Sequence, residues 1–159
     1  MTPRPDPLDV FRSLPLFAQC TPAELAEIDS MADEVHVDAG RTLATQGEIG
    51  REFVVIVSGT AAVERDGSVV ASLGPGDFFG ELALLDDQPR NATVRAKSDL
   101  TAQVIDRRAF QALLEDSPHL TRNLLYAVAT RLADRDAEVA RLSHLLAASG
   151  QTSEPKRSN

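Results

Sequence analysis

Leu8, Phe11 and Leu14 or Leu16 fall on one side of a helix, which predicts a short helix over Leu8–Leu14, closed by Phe17. A second helix start stands at Thr21-Pro22-Ala23-Glu24. The threonine serves as N-cap, the proline occupies the first helical position, where its missing N–H costs nothing, and the glutamate completes a capping box. Leu25, Ile28 and Met31 or Ala32 follow at helical spacing, so this helix has an apolar face, expected to lie against the outside of a barrel. From Val35 to Asp106 the rhythm changes to short runs rich in Val, Ile, Thr and Phe, punctuated by Ala39-Gly40, Gly47, Gly50, Gly59, Asp66-Gly67 and Gly74-Pro75-Gly76. Closely spaced strands of that kind predict a small sandwich or jelly-roll barrel, with Asp66-Gly67 turning a hairpin between Ala61–Arg65 and Ser68–Leu73.

Beyond Asp106 the helical period returns. Asp106 caps a helix carrying Phe110, Leu113 and Leu114, and Ser117-Pro118 ends it and begins another that runs from Leu120 to about Ala148. Along it Val128, Leu132, Arg135, Val139, Leu142 and Leu146 are separated by four, three, four, three and four residues, which is heptad spacing. The stripe reads either as the seam of a parallel homodimer through residues 120–146 or as a face packed on the chain's own barrel; Arg135 in the seam weighs against the dimer unless it points at a ligand. The fold class is therefore mainly β with flanking helices: a β jelly roll, N-terminal helices, one short helical insertion at Leu82–Leu85 and a long C-terminal helix. Residues 1–7, with three prolines, read as a flexible arm; residues 8–148 form one domain, divided into helices (8–34), jelly roll (35–106) and helices (107–148); residues 149–159 read as a disordered tail.

Composition narrows the function. A chain of 159 residues buries one core without disulfides or metals. Its net charge of −8 disfavours binding of nucleic acid or an anionic membrane by the protein as a whole, while leaving room for a local cationic pocket. There is no apolar run of membrane-spanning length and no signal-peptide pattern at the start, and the single cysteine, Cys20, fits a reducing compartment, so the expected location is cytoplasmic.

The stretch with chemistry in it is Phe79-Gly80-Glu81-Leu82-Ala83-Leu84-Leu85, an acidic turn at Asp86-Asp87, and Pro89-Arg90-Asn91-Ala92-Thr93-Val94-Arg95-Ala96. Gly80 lets the backbone turn, and the helical turn that follows presents N–H groups without partners to an anion. Arg90, brought back by Pro89, offers a planar fork to the same anion. Glu81 would repel a bare phosphate but accepts from a hydroxyl, which implies a sugar beside the phosphate and hence a nucleotide. A plainer reading is a glycine-started turn followed by a surface arginine.

In these residues the chain resembles the cyclic nucleotide-binding domain family, whose phosphate-binding cassette reads F-G-E-L-A-L…P-R-x-A-T-V-x-A. Leu73-Gly74-Pro75-Gly76-Asp77-Phe78-Phe79 is similar to the family's lead-in to the cassette, and Gln46-Gly47-Glu48 with Phe53–Gly59 to its earlier hairpin; the resemblance covers Val10 to Leu146. It implies a site of Phe79, Gly80, Glu81, Leu82, Ala83, Arg90, Asn91 and Ala92, with Glu81 on the ribose 2′-hydroxyl, Arg90 on the cyclic phosphate, and backbone N–H groups of Leu82, Ala83 and Asn91 or Ala92 completing the anion site. In that family alanine after the arginine accompanies cyclic AMP, and threonine or serine cyclic GMP; here the position holds Asn91. The implied ligand is thus a 3′,5′-cyclic purine nucleotide, cyclic AMP first and cyclic GMP as the alternative. By the same matching, Arg135 would stack on the base and Asp136 accept its amino hydrogens; a solvated charge pair is the other reading.

The remaining candidates point away from catalysis. His36, His119 and His144 lie in separate elements without a companion at metal-binding spacing, so no metal is expected. Cys20 has no basic neighbour to activate it, and Asp86-Asp87 has no acid or base partner. No segment resembling a helix-turn-helix, kinase, channel or phosphodiesterase follows the long helix, so the expectation is a stand-alone sensor, not an enzyme and without direct DNA binding, that signals to an effector protein by moving its C-terminal helices. The competing expectation is a ligand-free scaffold of the same fold.

Overall fold

The run Phe53-Val54-Val55-Ile56 is buried at every position, because the strand that carries it is covered on both faces. In the computed structural model, which describes residues 7–81 and 88–153, this run lies in β3 (Glu52–Ser58). Val54 and Ile56 share one cluster with Ala61, Val94, Ala96, Leu100 and Ala102. Phe53 instead stacks on Phe110 with ring centroids 4.1 Å apart and planes 9° from parallel. One strand thus joins the sandwich interior to a helix.

The other strands are β1 (Asp33–Val37), β2 (Thr42–Ala44), β4 (Ala61–Arg65), β5 (Ser68–Leu73), β6 (Phe78–Phe79), β7 (Thr93–Ala96) and β8 (Leu100–Asp106). They form two four-stranded antiparallel sheets in the orders β1-β8-β3-β6 and β2-β7-β4-β5. This is the expected β roll with flanking helices. The β4–β5 hairpin turns at Asp66-Gly67, both at positive φ (53° and 81°), a conformation aspartate tolerates and glycine adopts freely.

Helices α1 (Pro7–Arg12), α2 (Pro22–Met31) and α3 (Arg107–Asp116) flank the sheets, with a 3-10 turn at Pro15–Phe17, and α4 (Pro118–Ser153) follows α3 in the chain. Phe11 and Phe17 meet edge to face at 5.2 Å. The capping box predicted for α2 is complete: Thr21 Oγ1 accepts from the Glu24 N–H at 3.1 Å, and Glu24 Oε1 accepts from the Thr21 N–H at 3.0 Å. The chief neighbours of α2 are α1 and α3, so its apolar face, with Leu25 and Ile28 buried, meets helices and not simply the barrel wall.

Glu24 also ties α2 to the α3–α4 junction. Its Oε2 accepts from the buried Ser117 hydroxyl, and its Oε1 lies 2.8 Å from His119 Nδ1. Burial acts upward on this carboxyl, but hydrogen bonds from Ser117, Thr21 and His119 outweigh it and hold the pKa down at about 2. Asn123 Nδ2 adds bonds to the carbonyls of Leu16 (2.9 Å) and Ala18 (2.7 Å).

The chain divides into two compact units, Met1–Asn123 and Leu124–Asn159. The second is the continuation of α4, which runs to Ser153, past the expected end near Ala148 and through part of the segment read as a disordered tail. Its apolar side chains are largely uncovered: Leu132 is 56% exposed, Val139 60%, Leu142 48% and Leu146 71%. Residues 1–6, the helical insertion at Leu82–Leu85 with Asp86-Asp87, and residues 154–159 lie outside the described residues.

Candidate ligand site around Arg90

Arg90 is pinned by its backbone before its side chain does anything. Its N–H donates to the Glu48 carbonyl at 2.8 Å, and its own carbonyl accepts from the Gly47 N–H at 2.8 Å. Ile49 and Pro89 form the bridge beside these bonds. With the backbone fixed on the 47–49 loop, the side chain reaches back to the start of β3, where Nη2 donates to the Glu52 carbonyl at 2.8 Å.

Two glycines make the slot that holds the guanidinium. A β-carbon on Gly50 would fall on the guanidinium itself, and one on Gly80 would lie 2.8 Å from Nη1 and collide with the Glu52 carbonyl. Gly80 is also at φ 96°, in the left-handed region that a side chain resists. The predicted turn at Gly80 is thus real, and it serves a second purpose by making room for Arg90. Phe79 packs below, its ring centroid 5.8 Å from the guanidinium carbon, within cation–π range.

Burial pushes the guanidinium's pKa down from its ordinary value, and the carboxylates of Glu52 and Glu81 push back up. Glu81 therefore shares the electrostatic neighbourhood of Arg90, as the sequence pattern requires. Arginine stays charged at any physiological pH, so a cation sits half-buried with a neutral carbonyl as its hydrogen-bond partner. Such a group gains most from an anion. An open depression of about 510 Å³ lies next to it, lined by Glu48, Ile49, Gly50, Arg51, Glu52 and Arg90 among others.

The other predicted residues are distributed as follows. Phe79 is half-buried in β6, paired with Val54, and Glu81 is half-buried just past Gly80. Ala92 is buried at 7% exposure, whereas Asn91 is exposed and its carbonyl accepts from Arg65 Nε at 3.1 Å. Leu82 and Ala83 lie outside the described residues. Arg135 and Asp136 are exposed on α4, in the second unit. Sequence reasoning missed Gly50 and Glu52 as parts of the Arg90 slot. In the sequence Gly50 reads as strand punctuation, yet it does not sit at positive φ, so what demands glycine there is space. Among the described residues, no group of three or more His, Cys, Asp or Glu side chains is placed to hold a metal ion, and no helix is long and apolar enough to cross a membrane.

Residues 34–117, more than half of the chain, match the family described as the cyclic nucleotide-binding domain. The chain belongs to that family. It is 36% identical over 115 residues to a cAMP-dependent protein kinase regulatory subunit of Aspergillus niger, a match covering 71% of this chain and 28% of that one. The chain thus corresponds to under a third of the length of that relative. Among solved structures it is similar to the Thermus thermophilus catabolite activator protein, with a TM-score of 0.73 and 31% identity over 81% of this chain and 63% of that one. It is also similar to cAMP-bound PfPKA-R, with a TM-score of 0.71 and 26% identity over 84% of this chain and 46% of that one. The family read from Phe79–Ala96 is the family that matches, and its two-sheet roll with a C-terminal helix is the architecture described above.

Proposed function

We propose that this domain binds a 3′,5′-cyclic purine nucleotide, cyclic AMP before cyclic GMP, with Arg90 on the cyclic phosphate. The observation that carries this reading is the guanidinium of Arg90, half-buried in a slot between Gly50 and Gly80 and bonded to the Glu52 carbonyl at the edge of an open depression. A cyclic phosphate would add charge-assisted hydrogen bonds to this guanidinium. Glu81, close enough to act on the charge of Arg90, takes the ribose 2′-hydroxyl, an acceptor role that a carboxylate fills and a bare phosphate could not use. Backbone N–H groups of Leu82, Ala83 and Asn91 or Ala92 complete the anion site, by the pattern of the cassette. The relatives bearing cAMP in their names support cyclic AMP as the first ligand to try.

The output of binding is a movement of the C-terminal helices that an effector protein reads. The ligand must favour one arrangement by differential affinity, since equal binding to both shifts nothing. The exposed apolar stripe Leu132, Val139, Leu142 and Leu146 at heptad spacing supports a parallel homodimer through α4 as the state that is regulated.

Isothermal titration with cyclic AMP and then cyclic GMP tests the reading; the absence of tryptophan makes intrinsic fluorescence a poor substitute. Saturable binding at micromolar strength or better is expected for at least one nucleotide. Silence with both, in a folded sample, makes the domain a ligand-free interaction scaffold.

A further inference from the structure

We infer that Arg65 is a positioning residue for the phosphate: it holds the Asn91 carbonyl so that the Ala92 N–H of the same peptide faces the anion, an inference resting on the nucleotide-binding reading above. Arg65 Nε donates to the Asn91 carbonyl at 3.1 Å. That carbonyl and the Ala92 N–H are the two ends of one planar trans peptide and point in opposite directions. Fixing the oxygen on one side therefore fixes the donor on the other. Asn91 is exposed, but Ala92 is buried at 7% exposure, and among the described residues its N–H has no hydrogen-bond partner. A buried N–H in that condition costs free energy comparable to a lost hydrogen bond until an acceptor arrives. Ala92 stands two residues beyond Arg90, so the acceptor that the guanidinium takes is the one within its reach.

The tether has a firm base. Arg65 ends β4, and the residue after it, Asp66, is bound from both sides by Gln46: Gln46 Nε2 donates to Asp66 Oδ1 at 2.9 Å, and the Asp66 N–H donates to Gln46 Oε1 at 3.0 Å. The Gln46 N–H donates in turn to Thr93 Oγ1 at 2.9 Å, which fixes the residue following Ala92 to the same hairpin tip. A cation on the carbonyl oxygen also polarises the amide and strengthens its N–H as a donor. Arg90 has separate anchors, its backbone on Gly47 and Glu48 and its side chain on Glu52, so loss of Arg65 leaves the guanidinium in place and weakens one donor of the anion site. Since cyclic AMP and cyclic GMP carry the same phosphate, Arg65 acts on both affinities alike.

The test is titration of the full chain and of Arg65→Met and Arg65→Lys with cyclic AMP and cyclic GMP, with thermal unfolding of each protein and the amide-proton NMR shift of Ala92 followed as nucleotide is added. Arg65→Met is expected to weaken both nucleotides by the same factor, about fivefold, the worth of one ordinary hydrogen bond, with unfolding unchanged. Arg65→Lys, which keeps a donor, is expected to stay within about twofold of wild type on the same scale. The Ala92 amide proton is expected to move downfield on binding in wild type and by less in Arg65→Met. Unchanged affinity in Arg65→Met, or an Ala92 shift that does not respond to nucleotide in wild type, overturns the inference while leaving nucleotide binding intact. Weakened binding with the wild-type Ala92 shift, the mark of a merely structural role, overturns it as well. Failure of the wild-type chain to bind either nucleotide overturns the nucleotide reading and this inference with it.

Discussion

Arg90 donates from Nη2 to the Glu52 carbonyl at 2.8 Å, and the side chain that would break this bond is one that Gly50 lacks. A methyl group at Gly50 would overlap the guanidinium, which is the far end of a flexible chain and can swing aside. Gly50→Ala should therefore leave the fold within about 1 kcal/mol of wild type in urea unfolding. Its affinity for cyclic AMP should fall by about tenfold or more, because the cation has left its slot.

Gly80→Ala meets a different obstacle. Here the added β-carbon faces the Glu52 backbone carbonyl and the residue sits at φ 96°. The left-handed conformation costs about 1–2 kcal/mol for a residue with a side chain, and the overlap adds about 1–3 kcal/mol. The same urea titration should show a clear loss of stability for Gly80→Ala, separating the two glycines by mechanism.

Glu24 gives a pH signature. Its carboxyl titrates at about 2 in the folded chain against 4.5 ordinarily, because Ser117, Thr21 and His119 bond the charged form more strongly than burial opposes it. A depressed carboxyl pKa contributes stability that is whole above about 4.5 and drains away as pH falls towards 2. Glu24→Gln keeps the shape but not the charge, and should cost about 1–3 kcal/mol at neutral pH. Unfolding followed between pH 5 and pH 2 should show the gap between variant and wild type closing.

Phe110 is fully buried, and its ring lies flat on Phe53 at 4.1 Å, fastening α3 to β3. Phe110→Ala should cost about 3–5 kcal/mol, read as a drop in the denaturant midpoint.

If the stripe along α4 is a homodimer seam, charge placed on it should split the dimer without harming the fold, since Val139 and Leu142 are 60% and 48% exposed within the chain. Sedimentation equilibrium of Val139→Glu with Leu142→Glu should give the monomer mass where wild type gives the dimer. A mass unchanged from wild type counts against the seam.

Local chemistry made much of this fold legible. The Thr21–Glu24 capping box, the Asp66-Gly67 hairpin and the Asp106 cap of α3 each depend on residues a few positions apart, and each stands where the sequence put it. Longer-range relations were not legible in the same way. That α2 packs on α1 and α3, and that Glu24 bonds Ser117 and His119, follows from tertiary packing with no local sign. The helix runs on past Ala148 to Ser153, into a segment whose polar sequence reads as a tail. In the site, Gly80, Glu81 and Arg90 were visible as residue types at fixed intervals, while Gly50 and Glu52 enter only because the Arg90 side chain folds back across the start of β3.

The central claim is that Arg90 holds a cyclic phosphate. Isothermal titration of wild type and Arg90→Leu with cyclic AMP tests it most directly, in samples shown by circular dichroism to be equally folded. Loss of the charge-assisted bonds is predicted to weaken binding by about 2–5 kcal/mol, which takes a micromolar site to about 30 μM at the least and into the millimolar range at the most. An Arg90→Leu variant that binds cyclic AMP as tightly as wild type contradicts the account.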